Sequence, residues 1–166
     1  MAAEKRLRVC CVEAGFEDIG ALIERLREAA GELGVFAQAF DPSIIVSERH
    51  LLHAHALALK AFEERENYAK SIETETLLKA AAETRIDEAI MKAGAKDPKD
   101  FLLLTDADRE KLGALLGKLR GKTKRLAFKY DPWRVKEVFN ITEKMLENYS
   151  LEELVLERMA LSGHEN

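Results

Sequence analysis

Short apolar runs alternate with stretches of helical period, and this alternation limits the possible folds more than any other feature of the chain. Leu7 to Val12, Val35 to Phe40 and Phe101 to Leu104 read as strands. Phe16 to Leu33 carries Phe16, Ile19, Leu22, Ile23, Leu26 and Ala30 at helical spacing and stops at Gly34. Asp41-Pro42-Ser43 is a turn signal, and Ser47 can cap a long helix running to about Glu66, buried through Leu51, Ala54, Ala58 and Phe62. Further on, Lys96-Asp97-Pro98 marks a turn, and Thr105 with Asp108 has the spacing of a capping box for a helix reaching about Leu119. Lys124 to Tyr130 reads as a further strand closed by Asp131-Pro132, and Trp133 to Asn140 as a short helix. Ser150 with Glu153 opens a last helix buried through Leu154, Val155 and Met159. With no repeat, linker or low-complexity tract, the expected fold class is α/β: a single mixed domain over residues 1–166, a small β-sheet packed with several helices, frayed over 161–166. The direction of strand pairing stays open.

The segment Thr74 to Gly94 reads as two short helices joined by a break. The first carries Glu75 and the pair Leu77-Leu78. The second starts at a Thr84 cap, buries Ile86, Ala89 and Ile90, and ends at Gly94. It holds no nucleophile, metal cluster or phosphate loop, which points away from catalysis.

The chain has 166 residues, 47% hydrophobic and 34% charged, the profile of a folded globular protein. Its net charge of −4 provides no overall basic field, so any contact with nucleic acid needs a local patch. Cys10 and Cys11 are adjacent in a strand and point to opposite faces, which suits neither a shared metal nor a disulfide. They read as reduced thiols of a cytoplasmic protein, or of a nuclear one in a eukaryote. Glu4 and Glu13 bracket the first apolar run, unlike a signal peptide, and no run approaches the length of a membrane helix.

Several motifs have plainer readings. Gly121-Lys122-Thr123 imitates the end of a phosphate loop, but Leu116 stands where the first glycine is needed, and the segment follows a helix rather than a strand. His50 and His53 share a helix face, while His55 is rotated away and no second ligand pair is evident, so they read as ordinary, partly exposed helix histidines. Glu24, Asp41, Glu75 and Asp106 are candidate acid–base carboxylates without a nucleophile context, and Glu75 is better suited to capping an adjacent turn. The basic run Lys118, Arg120, Lys122, Lys124, Arg125 and Lys129 reads first as a solvated edge that Lys protects from aggregation, and second as a phosphate-contacting patch. No metal or other cofactor is called for.

The central pattern of Glu75, Leu77-Leu78, a break over Ala82 to Arg85, Ile86, Ala89-Ile90 and Gly94 resembles the small subunit of KEOPS, the PRPK-binding protein (TPRKB-like) family. A second likeness lies in Val138-Phe139-Asn140-Ile141-Thr142 followed by a Ser-capped helix with Arg158-Met159, and the order of elements agrees over about 7–161. Where family members have Ser, Gly or Pro in the central break, this chain has Ala80-Ala81-Ala82, which reads as tighter or more helical. The resemblance implies a non-catalytic accessory subunit of the complex that makes threonylcarbamoyladenosine on transfer RNA. Such a subunit binds the N-terminal lobe of a kinase-like ATPase subunit and, in archaeal members, holds the single-stranded 3′ CCA end of transfer RNA. No membrane and no small-molecule substrate are implied.

A splayed CCA tail needs stacking surfaces, donors and cations. Under this resemblance the tRNA-binding candidates are Thr76, Lys79 and Arg85 for donors and charge, Ile72 for an apolar base contact, and Lys60 and His53 on the preceding helix. The candidates for the kinase-like partner are Leu154, Val155, Arg158 and Leu161 on the last helix. Two other classes stay open: a protein-interaction adaptor that regulates a kinase-like partner without RNA contact, and a small-molecule enzyme with a polar pocket.

Overall fold

A computed structural model describes residues 6–163; Glu4 and the expected fraying of 164–166 lie outside the described residues. In chain order the elements are β1 (Arg8–Glu13), α1 (Ile19–Leu33), β2 (Ala37–Phe40), α2 (Glu48–Glu63), α3 (Ile72–Ala80), α4 (Ile86–Ala93), β3 (Phe101–Thr105), α5 (Arg109–Lys118), β4 (Lys122–Lys124), α6 (Pro132–Phe139) and α7 (Leu151–Leu161). Short 3-10 turns cover Pro42–Ile44 and Met145–Glu147. This is the mixed α/β class the alternation predicts. The chain forms two compact units, residues 1–40 with 95–127 and residues 41–94 with 128–166.

The first unit holds the sheet, ordered β2-β3-β1-β4. Every pairing is antiparallel, which answers the question the sequence leaves open. Val12 stands opposite Phe101, and Leu103 is flanked by Cys10 and Ala39. That register puts Val12, Phe101, Leu103, Ala37 and Ala39 into one core with Leu22, Leu26 and Ala29 of α1 and Leu115 and Leu119. Each fully buried Leu here contributes about 1.5–3 kcal/mol. Because side chains alternate along β1, Cys10 packs against this core while Cys11 pairs with Leu102, so the two thiols point to opposite faces as the sequence requires. The Asp18 carboxylate accepts from the Gly20 amide to start α1, and Gly34 ends it with φ 65°, a left-handed conformation that favours glycine.

Two expectations fail in this unit. Thr105 does not cap α5: Asp108 does, accepting from the Lys111 amide at 2.8 Å, while the Thr105 hydroxyl donates to the Phe36 carbonyl at 2.7 Å. A residue still paired in the sheet cannot also take the non-helical cap position. The strand expected over Lys124 to Tyr130 is only Lys122–Lys124, an exposed edge whose Lys122 and Lys124 pair with Glu13 at 3.3 Å and Asp100 at 3.0 Å. Gly121-Lys122-Thr123 leaves a helix and enters this edge strand, the reverse of a phosphate loop.

The second unit is helical. Ser47, Ser71, Asp131 and Ser150 each accept from a backbone amide at the start of α2, α3, α6 and α7. The Asp41 amide donates to the Ala93 carbonyl at 2.9 Å, and the Asp131 amide to the Ser43 carbonyl at 2.8 Å. His50 is fully buried rather than partly exposed. Its Nδ1 accepts from the Val46 amide at 3.2 Å and its Nε2 lies 2.9 Å from the Ala80 carbonyl, with the Phe139 ring edge-on at 5.7 Å. That bonding places the proton on Nε2 of a neutral imidazole. Burial holds its pKa down to about 4, because a charged ring would lose its water, and the Ala80 carbonyl and the Glu152 carboxylate offset only part of that loss.

Candidate functional site

One buried carboxylate organises the start of α3. Glu75 has no exposed surface, and its Oε1 accepts from the Tyr68 amide at 2.7 Å and the Ala69 amide at 2.8 Å. These bonds fix the loop before α3, the turn-capping role its sequence position favours. Its Oε2 has no hydrogen bond but lies 3.6 Å from the ammonium of Lys79, one helical turn on. Lys79 is itself almost buried, and its ammonium sits 5.5 Å from the centroid of the Tyr68 ring. A single carboxylate therefore holds in register an aromatic ring and a cation.

Both groups open onto a cavity of about 490 Å³. Its wall combines Leu57 and Lys60 of α2, Asn67 and Tyr68 of the following loop, Lys79 of α3 and Met159 of α7. Glu64 and Glu66 also line it, so its cations and carboxylates balance. A second cavity of about 510 Å³ contains Thr84, Lys92, Asn140 and Arg158. The two share a wall of Tyr68, Ser162 and Gly163. At Gly163, whose φ of 87° favours glycine, an added Cβ would lie 3.0 Å from the Tyr68 hydroxyl, so the backbone passes close to the ring. Apolar and aromatic surface beside fixed donors and cations is what an unstacked base and its phosphates require.

Of the six residues expected to touch RNA, Lys60 and Lys79 meet in the first cavity. Thr76 does not reach a ligand: it is fully buried and its hydroxyl donates to the Ile72 carbonyl at 2.7 Å. Ile72 is half-buried and lines neither cavity. Arg85 is exposed, pairs with Asp87 at 3.1 Å and also lies outside both. His53 is half-buried outside the cavities, and burial followed by the nearby Arg49 charge lowers its pKa. Tyr68, Asn67 and Met159 were not expected in the site. Tyr68 is the aromatic next to the charged run Glu63 to Asn67, the one signal that could have marked it.

The partner-binding expectation also changes. Leu154 and Val155 are core and cannot meet a partner, Arg158 faces the second cavity, and Leu161 alone remains exposed. The large apolar surface of this unit lies elsewhere. Thr84 does not cap α4; Arg85 holds the cap position without a side-chain bond. The helix turns Ala89 and Ala93 inward, leaving Ile86, Ile90 and Met91 exposed by 41%, 54% and 58%. Sequence reasoning buried Ile86 and Ile90 because the two stripes, Ile86/Ile90 and Ala89/Ala93, have the same spacing. Trp133, 76% exposed, lies on α6, whose Arg134 donates to the Met91 carbonyl at 3.3 Å.

Residues 16–163 match the family described as Kinase binding protein CGI-121. The chain belongs to this family. It is also 28% identical over 138 residues to the Regulatory protein Cgi121 of Methanocaldococcus jannaschii, an alignment covering 78% of this chain and 92% of that relative. The matched residues include those lining both cavities and α4. The match also agrees with the resemblance read from the central motif.

Proposed function

We propose that this chain is a non-catalytic accessory subunit of the KEOPS complex, which binds its kinase-like ATPase and recruits transfer RNA through the single-stranded 3′ CCA end. The observation that carries the RNA part is the first cavity, where the Tyr68 ring and the Lys60 and Lys79 ammonium groups border one space. A base stacks on the ring while its phosphates meet the cations. The partner part rests on the family's description as kinase-binding and on the exposed Ile86, Ile90 and Met91 of α4, which form an apolar stripe suited to a protein groove.

The test is binding of the purified protein to intact transfer RNA and to the same RNA lacking CCA, at two salt concentrations. Tail-dependent binding that weakens as salt rises supports the reading. Equal binding to both RNAs, or none to either, overturns the RNA part. The second reading is an adaptor that regulates a kinase-like partner without touching RNA. It is favoured by the balance of charge in the first cavity and by the Glu75 carboxylate beside Lys79. Capture of the kinase-like subunit together with absent RNA binding would select it.

A further inference from the structure

We propose that the second cavity is an anion subsite in which Arg158 grips the phosphate adjoining the nucleotide whose base occupies the first cavity. The proposal rests on the RNA reading above and extends it, since Arg158 was expected to meet a protein partner instead. Three features carry it.

First, the two cavities differ in charge. The second holds two cations, Lys92 and Arg158, against the single carboxylate of Glu83, whereas the first is balanced. Second, the cations are not equivalent. Lys92 is bonded directly to Glu83, which satisfies its charge within the wall. The ion pairs among the described residues do not include Arg158. Its Nη2 donates to the Asn140 carbonyl at 3.1 Å and lies 3.8 Å from the Met145 sulfur, leaving Nε and Nη1 without protein acceptors among the described residues. A guanidinium anchored through Nη2 keeps charged N–H donors on Nε and Nη1, and each can give a charge-assisted hydrogen bond to a phosphate oxygen. Third, Tyr68, Ser162 and Gly163 line both cavities, so the two spaces adjoin at the ring on which the base is proposed to stack.

The experiment compares the full-length protein with Arg158→Gln and Arg158→Lys, the latter keeping charge but not the planar guanidinium. Affinity for intact transfer RNA is measured over a range of salt, and in parallel the Arg158 Nε–H resonance is followed by NMR during titration with inorganic phosphate. Arg158→Gln should weaken RNA binding roughly tenfold, as expected for loss of charged hydrogen bonds. It should also flatten the dependence of log K on log salt by about 0.7, the value for one single-strand phosphate. Arg158→Lys should keep the slope and recover part of the affinity, which a purely structural role would not produce. Wild-type tail-dependent binding with an unchanged slope in Arg158→Gln overturns the subsite and leaves the RNA reading standing. Movement of the Arg158 resonance by phosphate without RNA binding means that the cavity takes a free anion, and overturns the nucleic-acid form of the proposal. Neither RNA binding nor a phosphate response overturns both.

Discussion

The two units of this chain treat polarity in opposite ways. In the sheet unit, sequence pattern and packing agree: all five residues of β3 are buried, and among the described residues Thr105 is the one buried polar residue of the unit. In the helical unit the local rules break. His50, Glu75, Thr76 and Lys79 are inside, while Ile86, Ile90, Met91 and Trp133 are outside. Inversions of this kind cost stability and persist where a surface or a cavity has work beyond packing. Under the proposed function, one unit is scaffold and the other carries recognition.

The sharpest break of that contrast would be a core truncation. Phe101→Ala should lower the unfolding free energy by roughly 3–5 kcal/mol in a urea titration, through lost burial and the cavity left behind. A loss under about 1 kcal/mol would mean that the sheet core is not the scaffold described.

The next effect belongs to the helical unit and depends on pH. His50 is neutral when folded, with a pKa of about 4 against an ordinary value of 6.5. Between those values the unfolded chain binds the extra proton, so stability falls as pH drops from about 6.5 to about 4 and is flat with respect to this group above that window. The full loss is roughly 3 kcal/mol, from 1.36 kcal/mol per pKa unit. His50→Leu should remove this part of the slope, and an unchanged slope would reassign the acid sensitivity to other groups.

A smaller effect is expected at Glu75. Glu75→Gln keeps the shape but replaces a charged acceptor, and should cost about 1–3 kcal/mol. It should also weaken transfer RNA binding by loosening Tyr68 and Lys79 together; full RNA affinity in this variant would separate the carboxylate from the cavity. The smallest stability effect is at the apolar face: Ile90→Glu should change stability by no more than about 0.5 kcal/mol, because the side chain is already in water. The same substitution should abolish capture of the kinase-like subunit, and retained capture would move the partner surface off α4.

What the sequence reveals follows the same division. Ser47 and Ser150 mark helix starts because capping is local, a side chain bonded to an amide three residues away, and Gly34 ends α1 through its left-handed backbone; Asp131, expected to close a strand, instead caps α6. The strand cores are equally legible from their apolar runs. Ile86 and Ile90 mislead because periodicity defines a stripe without saying which stripe is covered, and here the smaller alanines face inward. Thr105 misleads because its hydroxyl is used by Phe36, 69 residues away in sequence. The cavity was half visible. Lys60 and Lys79 carry the right chemistry, but Tyr68 and Met159 join them only through packing of α2, α3 and α7, which no local pattern records. Glu75 was legible as a turn cap, while its grip on Lys79 depends on both being buried.

The most direct test of two separate recognition surfaces in the helical unit is a crossed measurement on Lys60→Glu and Ile90→Glu. Each variant is assayed for binding to intact transfer RNA and for capture of the kinase-like subunit. The predicted result is that Lys60→Glu loses RNA and keeps the partner, while Ile90→Glu keeps RNA and loses the partner. Loss of both activities in both variants, or of neither in either, would contradict the division.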